Sequence, residues 1–154
     1  MILIYLLLLV LAFLGLFMGL LVGYFCKEEL KPGMNYLNWL RHLLFIAILI
    51  IFFVKNQSWL FIILVAVIII LFSLSKNRET LYYYALAVIF FLSWRYNGFA
   101  MIAPLIFLYG IPLGSMHLYY NIKEKKKQVI LKLFYRYAGF LINGLVLGLL
   151  GLLL

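Results

Sequence analysis

Few side chains in this protein are equipped for chemistry. The 154 residues include no Asp, one cysteine (Cys26), two histidines (His42 and His117) and four glutamates (Glu28, Glu29, Glu79 and Glu124). The two histidines are far apart, and no carboxylate sits near either at metal-ligand spacing, so no metal site is expected. A single cysteine rules out an internal disulfide and a Cys-based zinc site. Intramembrane aspartyl chemistry is excluded by the lack of Asp. Ser93 or Ser115 with His117 is the nearest approach to a nucleophile and base, and nothing at a recognisable spacing activates the pair. There is no nucleophile elbow, phosphate-binding loop or dinucleotide fingerprint. No catalytic residue and no cofactor is therefore expected, and the reading leans away from an enzyme.

The elements that would position these residues are set by lipid. The chain is 69% apolar and 11% charged, whereas soluble domains are roughly 45–50% apolar and roughly 25% charged. No soluble core of this size could hide that surface. The 13 Lys and Arg fall in short breaks between apolar runs, and 11 of them (Lys27, Lys31, Arg41, Lys76, Arg78, Lys123, Lys125, Lys126, Lys127, Lys132 and Arg136) lie in or beside the first, third and fifth breaks. The second and fourth hold Lys55 and Arg95. Such alternation marks a polytopic protein with its basic loops in the cytoplasm. The expected fold is all-α, one transmembrane domain over 1–154, with six spans at about 1–26, 36–54, 59–74, 81–94, 99–120 and 133–154 and both termini outside. The surroundings would be the plasma membrane of a microbe. Residues 27–38, which contain Pro32-Gly33, read as a polar loop with a turn. Spans two and four are short. The Ile- and Val-rich third must satisfy its backbone internally in lipid, so helix is expected there as well.

Three groups of residues carry functional readings, each beside a plainer one. Gly15, Gly19 and Gly23 repeat every fourth residue in the first span, and Gly144, Gly148 and Gly151 follow a similar pattern in the last, preceded by Gly139. Such faces let another helix backbone approach closely. They would serve either packing within the bundle or an interface with a partner membrane protein or second copy. The fifth span carries Pro104, Gly110, Pro112 and Gly114, followed by Ser115 and His117. An interrupted helix there would expose backbone dipoles of the kind transporters use to hold substrates; a proline kink for packing is the plainer reading. Asn143 is the one strongly polar residue near the middle of a span. An amide in hydrocarbon needs a hydrogen-bond partner, so Asn143 is expected to face protein rather than lipid, as a helix–helix contact or, with the fifth-span residues, as a ligand along a substrate pathway.

The third group is cationic. Arg41, His42, His117, Tyr119 and Arg136 could line a cytoplasm-facing pocket for an anionic headgroup, or simply anchor their helices at the interface. Lys123, Lys125, Lys126 and Lys127 could bind anionic lipid at roughly 1 kcal/mol per residue near the surface, although setting topology explains them without a partner. The net charge of +9 lies in loops beside apolar runs, so the expected partners are the bilayer and its anionic headgroups, not nucleic acid. The leading expectation is a non-enzymatic subunit or scaffold of a membrane assembly. The alternatives are a small transporter or channel whose pathway follows the fifth span, and a lipid-binding or lipid-processing protein with its headgroup site on the cytoplasmic face.

Overall fold

The computed structural model describes residues 2–55, 78–95 and 98–153. The third expected span, 59–74, lies outside these residues, as do its connection to the second and most of the third basic break. Every regular element among the described residues is helical: α1 (Ile2–Phe25), α2 (Lys27–Lys55), α3 (Arg78–Arg95), α4 (Phe99–Tyr120) and α5 (Lys126–Leu153). Four of them, α1, α2, α4 and α5, are long and apolar enough to cross a membrane, and the apolar part of α3, Thr80–Trp94, is shorter. A 24-residue helix such as α1 reaches ~36 Å at ~1.5 Å per residue, enough for a hydrocarbon layer of ~30 Å.

The expected loop over 27–38 does not form. α2 begins one residue after α1 ends, with Pro32 inside it. Cys26 alone makes the junction: its N–H donates to the Val22 carbonyl at 3.0 Å and its carbonyl accepts from the Glu29 N–H at 3.1 Å. Three physical factors outweigh the Pro-Gly signal. Glu28 and Glu29 occupy the first turn, where carboxylates are favoured by the partial positive charge of a helix N-terminus. Pro32 deprives only the Glu28 carbonyl of its intrahelical donor, and Glu28 is exposed, so water can supply the bond. Leu30 is buried and ties this first part of α2 to the bundle.

The expected interruption in the fifth span is also absent. α4 is helical without a break from Phe99 to Tyr120, through both Pro104 and Pro112. In a bundle packed on several sides, neighbouring helices hold a proline-containing helix together. α4 is that centre here, packing against α1, α2, α3 and α5. The core it organises is aromatic at its heart. Tyr83 of α3 lies against Tyr109 of α4 and against Tyr137 and Phe140 of α5, with ring centroids 6.2, 5.5 and 4.7 Å away. At the far end of α1, Tyr5 packs on Phe90 and Trp94 of α3 at 5.1 and 4.9 Å.

Candidate functional site

The glycines of the first and last spans meet other parts of the same chain. A methyl group on Gly15 would overlap the carbonyl of Phe107, and one on Gly19 the carbonyl of Ile111, both on α4. From the other side, a methyl on Gly110 would come within 2.7 Å of the Gly15 backbone, and one on Gly114 would strike the Leu16 carbonyl. α1 and α4 therefore meet backbone to backbone, glycine into glycine. Gly23 continues the seam against Leu118 and Ser115. The Ser115 hydroxyl, fully inside the seam, donates across it to the Gly19 carbonyl at 2.8 Å. On α5 the glycines receive large side chains: Gly144 meets Leu9, Gly148 meets Tyr5, and Gly151 meets Phe91 and Trp94. The Tyr5 hydroxyl also donates to the Gly144 carbonyl at 2.7 Å. A helix with glycine at such a point lets a neighbour's ring reach its backbone, and here the ring brings its own donor.

The candidates along α4 are consequently covered. Gly110, Pro112, Gly114, Ser115 and His117 are all buried, and Pro104 alone among them is exposed. The backbone at Gly110 and Gly114, which an interrupted helix would have opened, is closed by α1. His117 is 4% exposed, with its ring edge-on to Tyr137 at 6.3 Å, and its carbonyl accepts the Asn121 side-chain amide at 2.8 Å. That side chain caps the end of α4.

The cationic candidates divide. Arg41 points inward and is buried, its Nη2 donating to Asn38 Oδ1 at 2.7 Å. His42, the next residue, is exposed, so the two side chains do not share one pocket. Arg136 Nε donates to Thr80 Oγ1 at 3.1 Å, its carbonyl accepts the Tyr84 hydroxyl at 2.8 Å, and its guanidinium stands 5.7 Å from the centre of the Tyr137 ring. Lys123, Lys125, Lys126 and Lys127 are exposed. Lys126 and Lys27 both place their ammonium groups over the ring of Tyr24, at 5.4 and 5.2 Å. Cations from the first and fifth breaks thus gather on one aromatic ring at the end of α1. Lys132 pairs with Glu124 nearby.

Asn143 departs from its expected place. Its neighbour Gly144 is buried against Leu9, but Asn143 itself is exposed, on the flank of α5 turned away from the core. The helical turn that hands glycine to the bundle presents the amide outward, and Asn143 makes no side-chain hydrogen bond among the described residues.

A feature that sequence reasoning missed lies at the junction it took for a loop. A cleft of about 1130 Å³ opens between the last turn of α1, the first half of α2 and Ser115 of α4. Its walls are chiefly apolar, including Val22, Leu30, Leu37, Leu40 and Leu43, with Glu29 and Asn35 as polar groups. Tyr36 and Trp39, 80% and 74% exposed, stand at its margin. Gly33 lines it too, and a methyl there would meet nothing within 4 Å. The available signal was the spacing of Leu30, Gly33, Leu37 and Leu40, which makes one stripe if 27–38 is helical. A second missed feature is Tyr83, whose buried hydroxyl has no hydrogen-bond partner among the described residues, an arrangement that costs about 1–3 kcal/mol.

Together these features define an all-helical protein with several helices suited to a membrane, with an open cleft near a gathering of lysines. No family model matches the chain, and neither a curated protein nor a solved structure matches it.

Proposed function

We propose that this is a multi-pass protein of six spans in a microbial plasma membrane, with its basic end in the cytoplasm, and that it binds a phospholipid in the cleft between α1 and α2. The orientation is supported by the cations themselves. Lys27 of the first break and Lys126 of the fifth share the Tyr24 ring, and Arg136, beside the fifth break, bonds Thr80, just past the third. That is the pattern of loops kept on one side.

The observation that carries the lipid reading is the cleft. An apolar recess of about 1130 Å³ between helices suited to a membrane is open to acyl chains, and small-molecule sites run to about 300–1,000 Å³. Leu30, Leu37 and Leu40 offer the chain a wall, while Lys27 and Lys31 on the first turns of α2, beyond the cleft lining, offer the phosphate a charge. The headgroup site thus moves from the Arg41, His42 and Arg136 set to the start of α2. The test is to purify the protein in mild detergent and measure phosphorus per chain after graded delipidation. Close to one tightly held phospholipid per chain is expected, and it is lost when Gly33→Trp fills the cleft. Equal phosphorus in both proteins would overturn the reading.

A second reading, a non-enzymatic subunit of a membrane assembly, is supported by the outward amide of Asn143. The glycine faces that first pointed to a partner are occupied inside the chain. The transporter reading finds no comparable support, since α4 runs unbroken and α1 closes its glycines.

A further inference from the structure

We infer that two copies of this chain associate through the outer face of α5, with Asn143 of each hydrogen-bonding Asn143 of the other. The inference rests on the subunit reading and names its partner. It does not depend on lipid in the cleft.

The depth of Asn143 makes the amide costly. It lies seven residues beyond Arg136, the last cation of the chain, which is about 10 Å further along the helix axis. The rest of the chain is apolar apart from glycine, so no water is on hand at that level. An amide left bare in hydrocarbon loses the hydrogen bonds it would make in water. None of the described residues relieves this, because Asn143 is exposed and no described side chain or backbone group takes its amide. The exposed side chains beside it, Ile142, Val146 and Leu150, are apolar and have nothing to offer it.

A second copy fits this vacancy for reasons of chemistry and symmetry. The carboxamide is both donor and acceptor, so it is complementary to itself. Most soluble homo-oligomers are built on closed symmetry, and a two-fold axis places the same residue of each copy opposite its counterpart. With both chains inserted in the same direction, the two amides lie at the same depth. Ile142, Val146 and Leu150 then flank the pair and exclude lipid around it. Interhelical bonds from Asn are a recognised means of joining membrane helices.

The single cysteine supplies the probe. Cys26 is exposed and far along the chain from Asn143, so full-length protein labelled there with donor or acceptor dye reports association by energy transfer in phospholipid vesicles over a range of protein-to-lipid ratios. Expected is transfer above the random-proximity level for the unaltered protein and an apparent dissociation constant roughly tenfold higher for Asn143→Leu. Asn143→Gln, which keeps donor and acceptor, should stay near the original value. Because the site is exposed, all three should share one helical circular-dichroism spectrum. In a Cys26→Ser background, Val146→Cys should cross-link into dimers on oxidation. Unchanged association in Asn143→Leu, or absence of the Val146→Cys cross-link, would overturn the inference. A pure protein that stays monomeric, yet retains a co-purifying protein that Asn143→Leu loses, would overturn the second copy while leaving the subunit reading standing.

Discussion

α1 treats α4 and α2 in opposite ways. Along α4 it lies backbone to backbone, with Gly15 and Gly19 set against the carbonyls of Phe107 and Ile111. Opposite α2, to which it is joined by Cys26 alone, its last turn stands across an open cleft of about 1130 Å³. Glycine occurs on both sides of this contrast. On the seam, Gly15, Gly19, Gly110 and Gly114 exist for what they exclude, since any Cβ would hold the helices apart. In the cleft, Gly33 excludes nothing, because a Cβ there meets open space. The lesson is that a glycine in a membrane helix marks a close approach of two backbones only when the facing element also presents a small residue at the same level. Gly15 has Gly110, and Gly19 has Gly114. Gly33 has no such partner.

Substitution can break that contrast at its stronger side. Gly19→Leu should be the most damaging change, because the obstacle is the Ile111 backbone rather than a side chain that can turn aside. A cost of about 3 kcal/mol or more is expected, at or beyond the upper end of ordinary overpacking, read as loss of the folded fraction in detergent-denaturant titration. Ser115 sits on both sides, donating to Gly19 across the seam while bordering the cleft. Ser115→Ala should cost about 0.6–1.5 kcal/mol in the same titration, and the seam should persist because its packing does not depend on the hydroxyl. The smallest effect is expected at Gly33. There Gly33→Ala should raise stability by about 0.5–1 kcal/mol, the ordinary gain from replacing a helical glycine, seen as a higher melting temperature. A loss of stability at Gly33 comparable to that at Gly19 would mean that the cleft closes in solution and that the two sides do not differ.

The lipid reading and the association reading use different parts of the chain and fail separately. One concerns the start of α2, the other the outer flank of α5. Their shared background is that α4 gives neither of them a pathway: its prolines sit in an unbroken helix and its glycines are spent on α1.

Much of this arrangement was legible in the residues before any tertiary information. Long charge-free runs over 1–26 and 99–120 dictated helices, because a backbone in lipid must satisfy itself. Cations concentrated in alternate breaks led to the expectation that those breaks share one side; in the structure Lys27 of the first and Lys126 of the fifth meet on Tyr24. Spacing alone placed Gly15, Gly19 and Gly23 on a single face. What spacing could not say is who faces them, since one helix face looks the same whether its neighbour is α4 or another chain. Pro32-Gly33 misled for a related reason: even in a helix interior the pair costs only about 4 kcal/mol, and favourable N-terminal carboxylates together with burial of Leu30 can outweigh it. Asn143 shows the limit most plainly. Its depth in the last span could be counted along the sequence, but the direction of its amide follows from which side of α5 holds Gly144 and Gly148 against Leu9 and Tyr5. Chemistry of single residues and the solvent they require were settled by sequence; pairing of faces, and with it the open cleft and the outward amide, was decided only when the described helices had to share one set of contacts.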